Sequence, residues 1–108
     1  MKSTDEVCAK YDGRPKIRLE VREMTAAAGD PGVPPRSVFI ETDSEGFEFL
    51  AELFFAFAGS GEGCHRNLGP NGPGSAYFKV GCTLGILLHR LPCEHPETPF
   101  DATTRRLI

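Results

Sequence analysis

The chain has 108 residues, of which 40% are hydrophobic and 25% are charged, a balance typical of one globular domain with a modest core. Its formal net charge of −3 argues against nucleic-acid binding, because nucleic-acid-binding proteins normally carry a basic face. No apolar run reaches the ~20 residues of a membrane span, and the first residues lack the apolar segment of a secretion signal, so we expect a cytoplasmic protein.

The N-terminal part of the chain is predicted to contain one strand. Residues 1–13 show no periodicity and are expected to form a loose lead-in. Between residues 14 and 24, hydrophobic and charged residues alternate, which is typical of a strand with one buried and one solvated face. The hydrophobic positions of this strand are Ile17, Leu19 and Val21.

A second strand is predicted directly before the main helix. Residues 25–36 contain three prolines and two glycines, a composition that favours a long connection. In residues 37–41, which follow, Val38, Phe39 and Ile40 are consecutive and indicate a strand in an interior position of a sheet.

The central element is one amphipathic helix, predicted over residues 43–58. Thr42, Asp43 and Ser44 are candidate caps, Thr42 also has the spacing of a capping box with Glu45, and Gly59 and Gly61 supply a C-terminal stop. At about 100° per residue, one apolar stripe is expected to face the core, with Leu53 and Phe55 at its margins. The stripe consists of Phe47, Leu50, Ala51, Phe54, Phe57 and Ala58.

The other side of this helix is expected to be exposed. Glu45, Glu48 and Glu52 form an acidic row there, and Phe49 projects on the same non-core side. An exposed phenylalanine near carboxylates can mark a protein-binding surface, although single exposed apolar residues are also ordinary.

Two further strands are predicted after a glycine-rich loop, residues 59–74. The loop leaves a helix instead of leading from a strand into a helix N-terminus, which argues against phosphate binding, and short extended pairing is expected around residues 64–68. Residues 75–80 alternate in hydrophobicity and residues 84–91 are nearly continuously apolar, so both are predicted strands. Residues 81–83 between them form either a turn or a bulge.

The predicted fold class is α+β, in two layers, within a single domain over residues 1–108. One helix covers a four-stranded, mostly antiparallel sheet in the order β-β-α-β-β, because the apolar face of a lone sheet needs such a cover. Residues 92–108 contain three prolines and are expected to form an irregular tail.

Residues 38–80 contain a strand, Asp-x-Glu-Gly, a helix with Leu-Ala-x-Leu, a Gly-x-His turn and a Gly-Ser pair. The matching positions are Asp43, Glu45, Gly46, Leu50, Ala51, Leu53, Gly63, His65, Leu68, Gly74 and Ser75. This pattern resembles the small α+β immunity-type proteins of bacterial polymorphic toxin systems, with Asn67 in place of a second histidine of the turn. The resemblance implies a non-enzymatic protein that neutralises a partner toxin by binding it, without a cofactor.

The residues and the resemblance together predict a protein-binding surface on the helix and the following loop. Its partner is expected to be another protein, and a homodimer is the alternative. The candidate partner-binding residues are Glu45, Glu48, Phe49, Glu52, His65 and Asn67.

A zinc site is the first alternative function. Zinc takes thiolate and imidazole ligands in tetrahedral sites, and four ligands can be drawn from six residues. The six candidates are Cys64, His65, Cys82, His89, Cys93 and His95. No CxxC pair is present, and the adjacent Cys64 and His65 would point apart in an extended segment.

A cysteine-dependent enzyme is the second alternative. Cys64, Cys82 or Cys93 would supply the thiolate, and His89 or His95 would act as the base. Without a signal peptide, we expect the four cysteines of the chain to be reduced.

Overall fold

The computed structural model describes residues 2–23, 35–59, 61 and 63–93, which form an α+β fold. In chain order the elements are α1 (Thr4–Tyr11), β1 (Arg18–Glu23), β2 (Arg36–Glu41), α2 (Ser44–Gly59), β3 (His65–Leu68), a 3₁₀ turn (Ser75–Tyr77) and β4 (Ile86–His89). The strands form two separate antiparallel pairs, β1 with β2 and β3 with β4. The α+β class is confirmed, whereas the predicted four-stranded sheet is wrong.

α1 occupies a segment that was predicted to be a loose lead-in. The Glu6 amide donates a hydrogen bond to Ser3 Oγ (3.1 Å), and the Ser3 amide donates to the Glu6 carboxylate, so the two residues form a capping box. Val7 and Tyr11 lie on the inner side of the helix and are buried. The lead-in prediction is therefore wrong, because a helix of eight residues is stable here through its cap and its contact with α2.

β1 and β2 form a two-stranded antiparallel ribbon. β1 lies within residues 14–24, where the alternating pattern predicted a strand. Leu19 is buried in the core, whereas Val21, Val38 and Ile40 on the same face are exposed. Phe39 lies on the opposite face, under two arginine side chains. The interior position predicted for β2 is therefore wrong, because β1 is the only one of the described strands that pairs with it.

α2 forms over almost the predicted residues, and its cap is one of the three candidates. The Gly46 amide donates to Asp43 Oδ1 (2.8 Å), which makes Asp43 the capping residue. The Thr42 hydroxyl donates instead to the Lys16 carbonyl (2.9 Å), so the predicted pairing of Thr42 with Glu45 is wrong. A β-carbon at Gly46 would lie 1.8 Å from Thr42 Oγ1, so glycine is required at this position.

The core forms where α2 meets α1 and the 3₁₀ turn. The Phe49 ring stacks on Tyr77, with centroids 4.1 Å apart and planes 5° from parallel, and Tyr11 packs edge-on at 5.4 Å. The Tyr11 hydroxyl donates to Glu52 and the Tyr77 hydroxyl donates to the Cys8 carbonyl, which satisfies both polar tips. The other core residues are Val7, Ile17, Leu19, Leu50, Leu53, Ala56, Leu68 and Phe78.

Residues 75–80, predicted as a strand, form the 3₁₀ turn and one isolated parallel bridge. The Ile17 amide donates to the Tyr77 carbonyl (2.8 Å), and the Lys79 amide donates to the Ile17 carbonyl (3.0 Å). Tyr77 and Phe78 are both buried, although consecutive strand residues would point to opposite faces. The strand prediction is wrong because this segment inserts two adjacent aromatic rings into the core.

The β3–β4 hairpin agrees better with the sequence. The extended pairing expected around residues 64–68 is β3, and β4 lies inside the predicted strand 84–91. Before β4 the chain turns, because the Cys82 amide donates to the Lys79 carbonyl and Gly81 adopts a φ of 89°. The turn, and not the bulge, is therefore the alternative observed near residues 81–83.

Three predicted features fall outside the described residues. They are most of the long connection (24–34), most of the tail (94–108) and the candidate ligand His95. Neither helix in the described part is long and apolar enough to cross a membrane.

Substitution of Phe49 tests this core. Because its side chain is 1% exposed and stacked on Tyr77, we expect Phe49→Ala to lower the free energy of unfolding by about 3–5 kcal/mol. Phe54→Ala is the matched control on the exposed side of the same helix, and we expect a loss below about 1 kcal/mol. Urea unfolding measures both values, and a larger loss for Phe54→Ala would contradict the observed orientation of α2.

Candidate functional site

α2 carries two apolar faces, and only one of them lies against the core. The buried face consists of Gly46, Phe49, Leu50, Leu53, Ala56 and Phe57. The second face is exposed, and we call it the apolar ridge: Phe47, Ala51, Phe54, Phe55 and Ala58. At about 100° per residue, the two faces together cover more than half of the helix circumference.

The core-facing stripe predicted from the sequence is confirmed for Leu50 and Phe57, which are buried, and wrong for its other four members, which are exposed. Phe47 and Phe54 are 50% and 46% exposed, and Phe55 is 69% exposed. Phe49, which was expected on the surface as a partner-binding residue, is buried and cannot contact a partner in this fold. A helix that is apolar on two sides gives no unique core direction, and the aromatic rings around Phe49 select the buried side.

A depression lies on each side of the apolar ridge. The larger one, between α1 and α2, has a volume of about 700 Å³ and an almost wholly apolar wall. It is lined by Lys2, Val7, Ala51, Glu52, Phe55 and Ala56. The smaller one lies between α2 and β4 and is lined by Phe54, Phe57, Ala58, Leu88, His89 and Arg90. The ridge thus separates two hollows and lines part of each, a shape that can receive the apolar side chains of another surface.

The acidic row of α2 is largely engaged within the molecule. Glu45 forms an ion pair with Arg14 (3.2 Å), and Glu52 forms one with Lys10 (2.8 Å). Glu48 is exposed and makes no ion pair with any residue that the structure describes. Of the three carboxylates predicted to bind a partner, Glu48 is therefore the one most available to an incoming cation.

The contact between Tyr11 and Glu52 shifts the pKa of both groups. The hydrogen bond from Lys10, followed by the one from Tyr11, lowers the pKa of Glu52. The hydrogen bond that Tyr11 donates to Glu52, followed by burial, raises the pKa of Tyr11 to about 12. The hydrogen bond therefore favours an ionised Glu52 and a neutral Tyr11, the forms present at neutral pH.

His65 and Asn67, the predicted loop contacts, belong to β3. Asn67 is exposed, whereas His65 is half-buried and its ring stacks on His89 at 4.4 Å. The two histidines lie opposite each other in the antiparallel register of β3 and β4. This pairing holds both imidazoles on the same face of the hairpin.

Four of the six predicted metal ligands converge at the end of this hairpin, and we call them the Cys–His cluster: Cys64, His65, His89 and Cys93. One ligand atom from each residue lies within 4.8 Å of the other three. Cys93 Sγ is 3.5 Å from His65 Nε2, and Cys64 and Cys93 are joined by a disulfide. The expectation that all four cysteines are reduced is therefore wrong for this pair, because it followed from the inferred compartment and not from the positions of the sulfurs.

The side chains of Cys64 and His65 reach the same site although the two residues are adjacent in the chain. Cys64 precedes β3 in a bend, so the strand alternation that would separate its side chain from that of His65 does not apply. The Arg90 amide donates to the Cys64 carbonyl (2.8 Å), and this bond extends the hairpin pairing to Cys64. Beyond Arg90, the cis Leu91–Pro92 peptide leads to Cys93.

The structure gives less support to a thiolate nucleophile. Cys64 and Cys93 are bonded to each other, so neither sulfur is a thiolate in this state. Cys82 lies outside the Cys–His cluster, and its thiol contacts the carbonyl oxygens of Leu84 (3.4 Å) and Leu19 (3.8 Å).

Two signals for these sites are present in the sequence. Cys64 and His65 are adjacent and His89 precedes Cys93 by four positions, so the ligands form two short pairs instead of the sought CxxC. The apolar residues of α2 cover more of the helix than one core face requires, which indicates a second face. Comparison with known proteins found no matching family model, no matching curated protein and no matching solved structure.

Titration of the phenols tests the Tyr11–Glu52 contact. The chain has two tyrosines, so Tyr77→Phe leaves Tyr11 as the only one, and its tyrosinate absorbance should develop near pH 12 instead of near pH 10. Because the folded-state pKa of Tyr11 is raised, the contribution of its neutral form to stability is complete below about pH 10 and is lost as the pH rises towards 12. Because the pKa of Glu52 is lowered, the contribution of its carboxylate is lost at the acid end, as the pH falls through the folded-state pKa of Glu52.

The matched pair for this titration is Glu52→Gln and Glu48→Gln in the same background. Glu52→Gln removes the charged acceptor and should bring the pKa of Tyr11 back towards 10, whereas Glu48→Gln should lower it less, because Glu48 acts on Tyr11 through its charge alone. Absorbance spectroscopy measures the titration, and circular dichroism verifies that the chain is folded. Half-ionisation of Tyr11 near pH 10 in the folded protein would contradict this contact.

Proposed function

We propose that this protein acts by binding another protein through the apolar ridge of α2, without catalysis. The observation that carries the proposal is the second apolar face of α2, with three phenylalanines between 46% and 69% exposed. Single exposed apolar residues are ordinary on a surface, but a run of them along one helix face is characteristic of binding sites.

The form of the surface supports a protein partner. Aromatic residues dominate binding energy at protein interfaces, and Phe54 and Phe55 stand between the two hollows that flank the ridge. An apolar helix or strand of the partner can seat its side chains in the α1–α2 hollow while it covers the ridge. Lys2 and Glu52 at this hollow supply a polar rim.

Charge favours a partner that differs from this chain and is basic. The sequence of α2 contains glutamates but no lysine or arginine, and the whole chain has a formal net charge of −3. If two copies of α2 faced each other, all the charged residues that these helices brought together would be carboxylates, whereas a basic partner would pair with Glu48. A complex of two different chains is therefore preferred over a homodimer.

The resemblance of residues 38–80 to immunity-type proteins suggests which partner this is. We propose a toxin, which the protein neutralises by covering a surface that the toxin needs, in the cytoplasm of a bacterial cell. The exposed ridge supports this proposal, because neutralisation by binding requires an accessible surface and no reactive group.

The test uses the polypeptide encoded immediately upstream of this chain's gene. We expect co-expression of the two proteins to relieve growth arrest caused by that polypeptide, and we expect the purified pair to bind. The double variant Phe54→Asp/Phe55→Asp should weaken binding about tenfold or more, because charged carboxylates would replace two aromatic contacts. Calorimetric titration measures this change.

Val38→Asp is the matched control, because it places the same carboxylate at a 71% exposed apolar residue on the β1–β2 ribbon. Its affinity should equal that of the unmodified chain. If Phe54→Asp/Phe55→Asp bound the partner as tightly as the unmodified chain does, the proposed surface would be wrong. If the unmodified chain did not bind the polypeptide encoded upstream, the toxin proposal would be wrong. A dimer in light scattering that the ridge variant abolishes would show that a second copy, and not a different protein, covers the ridge.

A further inference from the structure

We infer that the Cys–His cluster is a tetrahedral Zn²⁺ site when its disulfide is reduced. The four ligands would be the thiolates of Cys64 and Cys93 and the imidazoles of His65 and His89. This site lies at the end of the β3–β4 hairpin and is independent of the partner binding proposed for the apolar ridge.

The positions of the ligand atoms fit such a site. With zinc bonds of about 2.3 Å to sulfur and 2.0–2.1 Å to nitrogen, tetrahedral ligand atoms lie about 3.3–3.8 Å from one another. The four atoms already lie within 4.8 Å of one another, and the Cys93 sulfur is 3.5 Å from His65 Nε2. To reach tetrahedral geometry, the two sulfurs must separate and the four side chains must rotate.

The chemistry of the donors selects the metal. Two sulfurs and two nitrogens form a Cys₂His₂ set, which is a common structural zinc set, whereas Mg²⁺ and Ca²⁺ require oxygen ligands. Two thiolates also cancel the charge of Zn²⁺, so the occupied site is neutral. Neutrality suits residues of which Cys64 is buried and His65 and Cys93 are half-buried.

The disulfide and the zinc ion exclude each other. A thiol reductant, such as the glutathione or thioredoxin of a reducing cytoplasm, supplies two electrons and two protons and converts the disulfide into two thiols. Zinc then displaces one proton from each thiol and binds both thiolates. In either state Cys64 and Cys93, which are 29 positions apart, remain joined, so the hairpin end is cross-linked under both oxidising and reducing conditions.

The experiment uses the full chain without a histidine tag, reduced with a phosphine, and adds Zn²⁺ or Co²⁺. We expect one zinc ion per chain by elemental analysis. We also expect Co²⁺ to give the intense visible bands of tetrahedral coordination together with a thiolate-to-cobalt charge-transfer band. The oxidised chain should bind neither ion, because its two sulfurs are bonded to each other.

Variants identify the ligands. Cys93→Ser and His89→Ala should each weaken zinc binding by more than ~100-fold, because each removes a direct ligand. Loss of a residue that only hydrogen-bonds to a ligand typically costs ~10–100-fold. Cys82→Ser is the matched control because Cys82 lies outside the cluster, and it should bind zinc like the unmodified chain. Circular dichroism verifies that each variant is folded.

Two results would overturn the inference. One is a fully reduced chain that takes up well under one equivalent of zinc, or that gives a cobalt spectrum without a thiolate charge-transfer band. The other is equal loss of zinc from Cys82→Ser and Cys93→Ser. The unmodified chain alone decides the first result, so the test does not depend on any variant being folded.

Discussion

The stacking of Phe49 on Tyr77 is the interaction on which the rest of the structure depends. It joins the middle of α2 to the 3₁₀ turn at a centroid distance of 4.1 Å, and Tyr11 closes the other side from α1. Because each ring comes from a different part of the chain, their contact fixes the rotation of α2 about its axis. That rotation decides which apolar face is buried and which is left on the surface.

Both candidate sites depend on this core packing, the apolar ridge directly and the Cys–His cluster indirectly. The apolar ridge is a direct consequence, since burying the Phe49 side of α2 turns Phe47, Phe54 and Phe55 outwards. The Cys–His cluster depends on the β3–β4 register, and the hairpin is anchored in the same core through Leu68. His89 lines the hollow beside the ridge and also belongs to the cluster, so the two sites are neighbours.

Local signals predicted the fold in part, and long-range contacts account for the errors. The α2 boundaries and the alternating strand β1 were predictable, because glycine and hydrophobic periodicity act over a few residues. The buried side of α2 was not, because the partner ring Tyr77 lies 28 positions away. Similarly, the sequence identified six candidate ligands by their residue type. That four of them lie together depends on the hairpin register and on the bend at Cys64, which the sequence did not predict.

Nuclear magnetic resonance of the phenylalanine and tyrosine rings tests the orientation of α2 most directly. We expect nuclear Overhauser effects between the Phe49 ring and the rings of Tyr11 and Tyr77. We also expect a soluble paramagnetic agent to broaden the signals of the Phe54 and Phe55 rings strongly and to leave those of the Phe49 ring sharp. Broadened Phe49 signals, together with Overhauser effects from Phe54 to the two tyrosines, would contradict this orientation of α2.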